Sequence, residues 1–207
     1  SLDTSTTGAR TGSKYSDPTS APDNSDKLLE SNRNLFQNIL SNTPEIESIL
    51  ELGCNIGLNL EAINSLNPNL QLSGVEINVK AAAVAQELGI GSIYRATILR
   101  DLELLGKFDL TFTKGVLIHI NPDKLLEAYK NLVKYSNKYI LICEYYNPQP
   151  VRIPYRGHKD KLFKRDFANE LIDLFDLELL NYGFVYHGDR LYPQDDLTWF
   201  LLKKKSK

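Results

Sequence analysis

Ser48-Ile-Leu-Glu-Leu-Gly-Cys-Asn-Ile-Gly57 is the stretch that decides the fold. Five residues of strand character run into two glycines, and the stripe Leu58, Leu60, Ile63 and Leu66 that follows has helical spacing. A strand that turns at once into a helix is the opening of a βαβ unit. Glycine at such a turn lets the backbone come close to a ligand. Ligands of open α/β sheets bind at the carboxyl ends of the strands, where this turn lies.

Working outward, the pattern repeats. The helical spacing of Leu28, Leu29, Leu35, Phe36, Ile39 and Leu40 predicts a helix from Asp26, stopped by Pro44. A second strand is expected over 70–77, an alanine-rich helix over 79–88 with Gly89 closing it, a third strand over 93–98 and a fourth over 108–113. Asn121-Pro122 opens another helix, with Asn as the cap and Pro in the first turn. A fifth strand is expected over 139–145. Pro148, Pro150 and Pro154 mark an irregular segment, and 167–175 is helical. The runs 177–186 and 197–202 read as two strands joined by a polar turn. Alternating strands and helices predict a doubly wound parallel sheet, and the terminal pair can only be antiparallel. The expectation is therefore α/β: a seven-stranded, mostly parallel sheet ending in an antiparallel hairpin.

Composition sets limits. The 207 residues suffice for one domain with a substantial core. Residues 1–25 are rich in Ser, Thr, Asp, Pro and Gly and read as a flexible arm, with the folded domain over 26–207. A net charge of -2 gives no general pull toward nucleic acid or membrane. No apolar run reaches the roughly 18 residues of a membrane span. The two cysteines, Cys54 and Cys143, form neither a disulfide framework nor a metal set, and no metal is expected. A cytoplasmic location is expected.

Glu51 stands two residues before Gly53, and Glu76 ends the second strand nineteen residues after Gly57. An acidic side chain there can accept hydrogen bonds from both hydroxyls of a ribose. A dinucleotide site needs Gly-x-Gly-x-x-Gly. Its second and third glycines would fall here at Asn55 and Leu58, so that fingerprint fails. The acidic residue before the first glycine suits S-adenosylmethionine, whose ammonium and sulfonium favour carboxylates and carbonyls over an anion nest. Asn55 replaces a usual middle glycine of that loop as well. The expected cofactor set is Glu51, Gly53, Cys54, Asn55, Gly57, Glu76, Ile77, Thr97, Ile98, Thr113, Lys114 and Gly115, with Thr97 and Ile98 near the adenine. A glycine turn flanked by two solvated glutamates is the alternative.

For a sugar hydroxyl as acceptor, a neutral His or a carboxylate near the methyl group would help. His119 follows the fourth strand and Glu144 ends the fifth, and these are the candidate catalytic residues. The segment 151–166 holds seven basic side chains against two aspartates. Arginine forks match carboxylate and phosphate oxygens. Tyr146, Arg152, Tyr155, Arg156 and His158 are the candidate acceptor-binding residues for a small anionic sugar.

Longer strings carry a resemblance. Phe108-Asp-Leu-Thr-Phe-Thr-Lys-Gly-Val-Leu-Ile-His-Ile-Asn-Pro122, Cys143-Glu-Tyr-Tyr-Asn-Pro148 and Ile153-Pro-Tyr-Arg-Gly-His158 resemble the methyltransferases associated with pseudaminic acid biosynthesis. Leu162-Phe-Lys-Arg-Asp-Phe-Ala168, Tyr182-Gly-Phe-Val-Tyr-His187 and Pro193-Gln-Asp-Asp-Leu-Thr-Trp-Phe200 continue it, over roughly residues 26–202. The resemblance implies a Rossmann-like class I methyltransferase encoded among genes for bacterial surface nonulosonic acids. Gly12-Ser-Lys-Tyr15 matches that family's Gly-Asp-Glu-Tyr segment only in part, and the Arg-Asn that follows it there is absent directly after Tyr15. A nucleotide-sugar oxidoreductase and a non-catalytic cofactor-binding regulator are the competing readings.

Overall fold

A computed structural model describes residues 24–103, 106–155 and 158–205. The expected arm lies outside these apart from its last two residues. Helix α1 (Asn24–Leu40) buries Leu35, Phe36 and Ile39 along one stripe. It ends four residues before Pro44. The Ser41 hydroxyl and the Asn42 amide both bond to Asn38 O, and the Thr43 hydroxyl to Leu40 O. Short polar side chains thus take the carbonyls of the last turn and stop the helix before the proline can.

Strands β1 (Ser48–Leu52), β2 (Gln71–Glu76), β3 (Gly91–Arg95), β4 (Phe108–Lys114) and β5 (Ser136–Glu144) are parallel. Helices α2 (Leu58–Leu66) and α3 (Val79–Glu87) follow β1 and β2. Asn121 and Pro122 open a 3-10 turn, Pro122–Lys124, that leads into α4 (Leu125–Lys134), and the Asn121 side chain accepts from Asp123 N. β3 is shifted from its expected place. It stops at Arg95, and Ala96, Thr97 and Ile98 form a loop. Ile98 is buried from that loop, so the apolar signal of 93–98 mixed strand with loop.

The segment expected to be irregular forms a two-stranded ribbon, β6 (Val151–Tyr155) with β7 (His158–Lys164). Its register shifts between Ile153 and Tyr155, which accommodates Pro154 in a strand that has no second neighbour among the described residues. After α5 (Phe167–Leu174), β8 (Leu177–Val185) and β9 (Leu197–Lys204) complete the main sheet. The order is β3-β2-β1-β4-β5-β9-β8, with β9 antiparallel to both neighbours.

The sheet separates two cores. One packs Leu35, Phe36, Ile39, Leu60, Ile63 and Ala85 from α1–α3 against Ile49, Phe112 and Leu141. Phe36 meets Phe112 edge to face at 5.3 Å. The other packs Leu125, Tyr129, Leu132, Phe167 and Leu171 from α4 and α5 against Leu50, Ile140 and Leu202. Each such side chain contributes about 1.5–3 kcal/mol by leaving water. Both faces of β1, β2, β4 and β5 are therefore covered, the edge strand β3 is partly exposed, and the carboxyl ends stay open. Among the described residues no helix is long and apolar enough to cross a membrane, and no three His, Cys, Asp or Glu side chains group to hold a metal.

Candidate active site

A cleft of about 450 Å³ opens at the carboxyl ends of β1, β2 and β4. Its size is that of a small-molecule site. Gly53, Asn55, Glu76, Ile77, Thr97, Ile98, Gly115 and His119, all among the candidates named from sequence, line it. Val116, the end of the run 113–116 expected beneath the methionine portion, lines it as well. Val75, Asn78, Ala96, Leu99 and Ile120 line it too and were not named from sequence; apart from Asn78 their apolar character gave no sequence signal distinct from that of the core. A depression of about 570 Å³ between α1 and α2 lies near the other end of the sheet, beside Thr43, Asn67 and Leu70.

The first wall is the turn after β1. Gly53 and Gly57 have φ of 86° and 87°, in the left-handed region. A Cβ on Gly53 would sit 2.7 Å from Val116 Cγ2, so glycine here lets the β1 and β4 turns touch. A Cβ on Gly57 would sit 2.8 Å from Leu88 Cδ1. Gly57 therefore serves the packing of α2 on α3 and is not part of the cleft, contrary to the sequence expectation. Asn55 has φ 50°. Asparagine tolerates that conformation better than other non-glycine residues, which explains how it stands in place of a middle glycine.

Glu76 joins two walls. Its Oε2 accepts from Asn55 N at 2.8 Å and its Oε1 from Asn78 N at 2.7 Å. Each oxygen keeps a further lone pair for a ligand. The wall after β3 is held from α4: Asn131, buried, donates to Ile98 O at 2.9 Å and Arg100 O at 2.6 Å. The Thr97 hydroxyl accepts from Leu99 N.

Other expected residues lie elsewhere. Cys54 packs into the core behind the turn, in contact range of Gly74, and burial pushes its thiol up to about 12. It is a thiol at neutral pH and its side chain does not line the cleft. Glu51 is fully buried on the α2 side of β1. Asn59 Nδ2 donates to its Oε1 at 2.6 Å, while Oε2 and Asn59 Oδ1 have no partner among the described residues. Burial pushes this carboxyl up to about 8, opposed by the Asn59 bond and by Lys114. Thr113 is fully buried and Lys114 half-buried, neither in the cleft wall.

Glu144 was expected to face the crevice and does not. It is 2% exposed, and Oε1 accepts from Val116 N and Leu117 N, each at 3.0 Å. Burial pushes it up to about 7, against the pull of those N–H groups. His119 is exposed and faces the cleft. The ribbon packs through β7 on the turn Leu117–His119. Arg152 is exposed at the ribbon base, its guanidinium 6.0 Å from the Phe163 ring centre. With Lys164, Arg165, Pro122 and Pro150 it lines a smaller depression of about 150 Å³. Tyr146 is exposed and meets Phe200 at 5.8 Å. Tyr155 and His158 are backbone partners in the register of the ribbon. Arg156 lies outside the described residues.

No protein-family model and no curated protein sequence matches the chain. Solved structures do match it. The magnesium protoporphyrin IX methyltransferase of Synechocystis, with bound S-adenosylmethionine, shares 14% identity over 90% of this chain and 86% of that one, with a TM-score of 0.60. An S-adenosylmethionine-dependent methyltransferase from Clostridium acetobutylicum shares 12% identity over 87% and 92%, with a TM-score of 0.63. The O-methyltransferase of a trans-AT PKS multienzyme from Brevibacillus brevis, in complex with S-adenosyl-L-homocysteine, shares 15% identity over 86% and 72%, with a TM-score of 0.64. The likeness is one of fold. The chain has the Rossmann-like fold of class I S-adenosylmethionine-dependent methyltransferases.

Proposed function

We propose that the chain is an S-adenosylmethionine-dependent methyltransferase acting on a small anionic sugar or nucleotide-linked sugar in bacterial surface glycan synthesis. The observation that carries the first half is the cleft in which Glu76 meets the Gly53–Asn55 turn and the 96–99 loop. The residues fit this cofactor. Glu76 offers carboxylate lone pairs to ribose hydroxyls, and Ile77, Ile98 and Leu99 offer apolar surface to a flat ring. Solved relatives of the same fold hold S-adenosylmethionine or S-adenosylhomocysteine.

The cofactor supplies a methyl group on an activated sulfonium. The protein's task is then to place the acceptor atom in line and to exclude water. We assign His119 as the group that takes the proton from an acceptor hydroxyl. Arg152 and the ribbon, which packs on the turn carrying His119, would hold the anionic part of the acceptor. The sugar acceptor is supported by the resemblance to the pseudaminic acid-associated methyltransferases and by the basic character of this ribbon.

Calorimetry with S-adenosylmethionine, S-adenosylhomocysteine and NAD tests the cofactor. Binding of the first two and not of NAD is expected, and tight NAD binding would restore the oxidoreductase reading. The acceptor is tested by mass spectrometry of host surface glycans with and without the gene. Loss of one methylene mass is expected. Unchanged glycans despite cofactor binding would favour a non-catalytic regulator.

A further inference from the structure

The turn that carries His119 is a single 3-10 turn, Leu117–His119, with no side-chain cap of its own at Val116. It holds itself through His119 N to Val116 O and Ile120 N to Leu117 O. So short a helix leaves its first N–H groups without internal acceptors. Val116 N and Leu117 N instead converge on one oxygen of Glu144, which comes up from the end of the neighbouring strand. Charge-assisted bonds of this kind fix direction as well as distance. The same turn supplies Gly115, Val116, His119 and Ile120 to the cleft. Glu144 itself contributes nothing to the lining: one oxygen is committed to the turn and the other is buried.

We infer that Glu144 is a positioning residue, whose clasp on Val116 and Leu117 sets one wall of the cofactor cleft and the place of His119. The inference rests on the reading of this cleft as the cofactor site. It takes Glu144 out of the proton-transfer chemistry that its strand-end position suggests.

The order of three variants tests it. In Glu144→Gln the side chain keeps its length and the amide oxygen can still accept both N–H groups. In Glu144→Asp the charge is kept and the carboxylate is drawn back by one methylene. In Glu144→Ala both N–H groups lose their acceptor. Two readouts need no acceptor substrate: amide hydrogen exchange at Val116 and Leu117, and S-adenosylhomocysteine affinity. Gln should keep amide protection and bind within about threefold of the parent. Asp and Ala should lose protection and weaken binding by about tenfold or more. Once an acceptor is known, turnover should follow the same order, whereas a proton acceptor would favour Asp over Gln. Gln behaving like Ala, or Ala keeping both amides protected, would overturn the assignment. If the Ala variant does not fold, Gln against Asp still decides. If the parent fails to bind S-adenosylhomocysteine, the proposed function falls, while amide exchange still reports whether Glu144 holds the turn.

Discussion

Asn55 shows how one residue can weaken a motif in sequence and keep it in space. With φ at 50° it adopts the conformation a glycine would have supplied, and its N–H reaches Glu76 Oε2. The motif's requirement is for the backbone shape, and asparagine meets it at a modest cost. Asn55→Gly should therefore change stability by less than about 1 kcal/mol. Asn55→Val should cost about 1–2 kcal/mol from the left-handed conformation alone. Urea unfolding of both variants checks this, and equal stability would mean that the turn rearranges. Glu76→Ala carries a double loss, of the acceptors proposed for the ribose and of the bonds to Asn55 N and Asn78 N. Cofactor affinity should fall by about 1–3 kcal/mol in calorimetry. Glu51 gives a residue-scale pH effect. Its carboxyl stands near 8 when folded and at 4.5 without the fold, so between these values the native state binds the extra proton. Stability then declines as pH rises through that window, and Glu144, near 7, acts in the same sense. Melting temperature should fall from pH 5 to pH 8, and Glu51→Gln should flatten the slope. An unchanged slope would clear Glu51 of the effect.

At the scale of elements, sequence legibility followed burial and punctuation. β1 was read to the residue because a strand buried from Ile49 to Leu52, between polar Glu47 and Gly53, has clear ends. β3 was misplaced because an edge strand with the pattern of Gly91–Arg95 carries little apolar contrast, while Ile98 beyond it does. The β6–β7 ribbon was missed because prolines mark breaks, and a two-stranded ribbon tolerates them where a central strand cannot. That Glu76, Thr97 and Ile98 reach the cleft was legible, since strand ends and the loops that follow them border the crevice. Which face Glu51, Thr113 and Glu144 take was not legible, because that depends on the register of neighbouring strands. No pattern in sequence linked α4 to the 96–99 loop, yet Asn131 holds one carbonyl within it, Ile98 O, and one just after it, Arg100 O. Asn131→Ala should leave these acceptors unpaired, cost about 1–3 kcal/mol in stability and weaken cofactor binding. A loss of stability with unchanged S-adenosylhomocysteine affinity would mean that the loop does not contact the adenosine.

At the scale of the molecule, the last strand in sequence is an interior strand in space. β9 lies between β5 and β8, pairing Leu141 with Leu201 and Tyr182 with Phe200. The alternation of elements predicted the terminal hairpin but not its insertion, since pairing order is set by contacts far apart in sequence. The first helix is tied to the same end of the chain. Gln194 Nε2 donates to Ser31 O at 2.9 Å, and Asn181 Nδ2 to Asn42 Oδ1 at 3.0 Å. Neither half of the sheet therefore has a complete core without the other, and the domain should unfold as one unit. Trp199, the chain's single tryptophan, is the natural probe. It is 4% exposed on β9, between Cys143 and Gly183, and a Cβ on Gly183 would come within 2.6 Å of its ring. Its fluorescence reports the terminal hairpin, whereas far-UV circular dichroism reports every helix and strand. The two denaturation curves should coincide in the parent. Gly183→Ala should shift both together to lower denaturant by forcing the indole off the sheet. A fluorescence transition that precedes the circular dichroism transition would show that the hairpin is a separate cooperative unit laid on a five-stranded sheet stable without it.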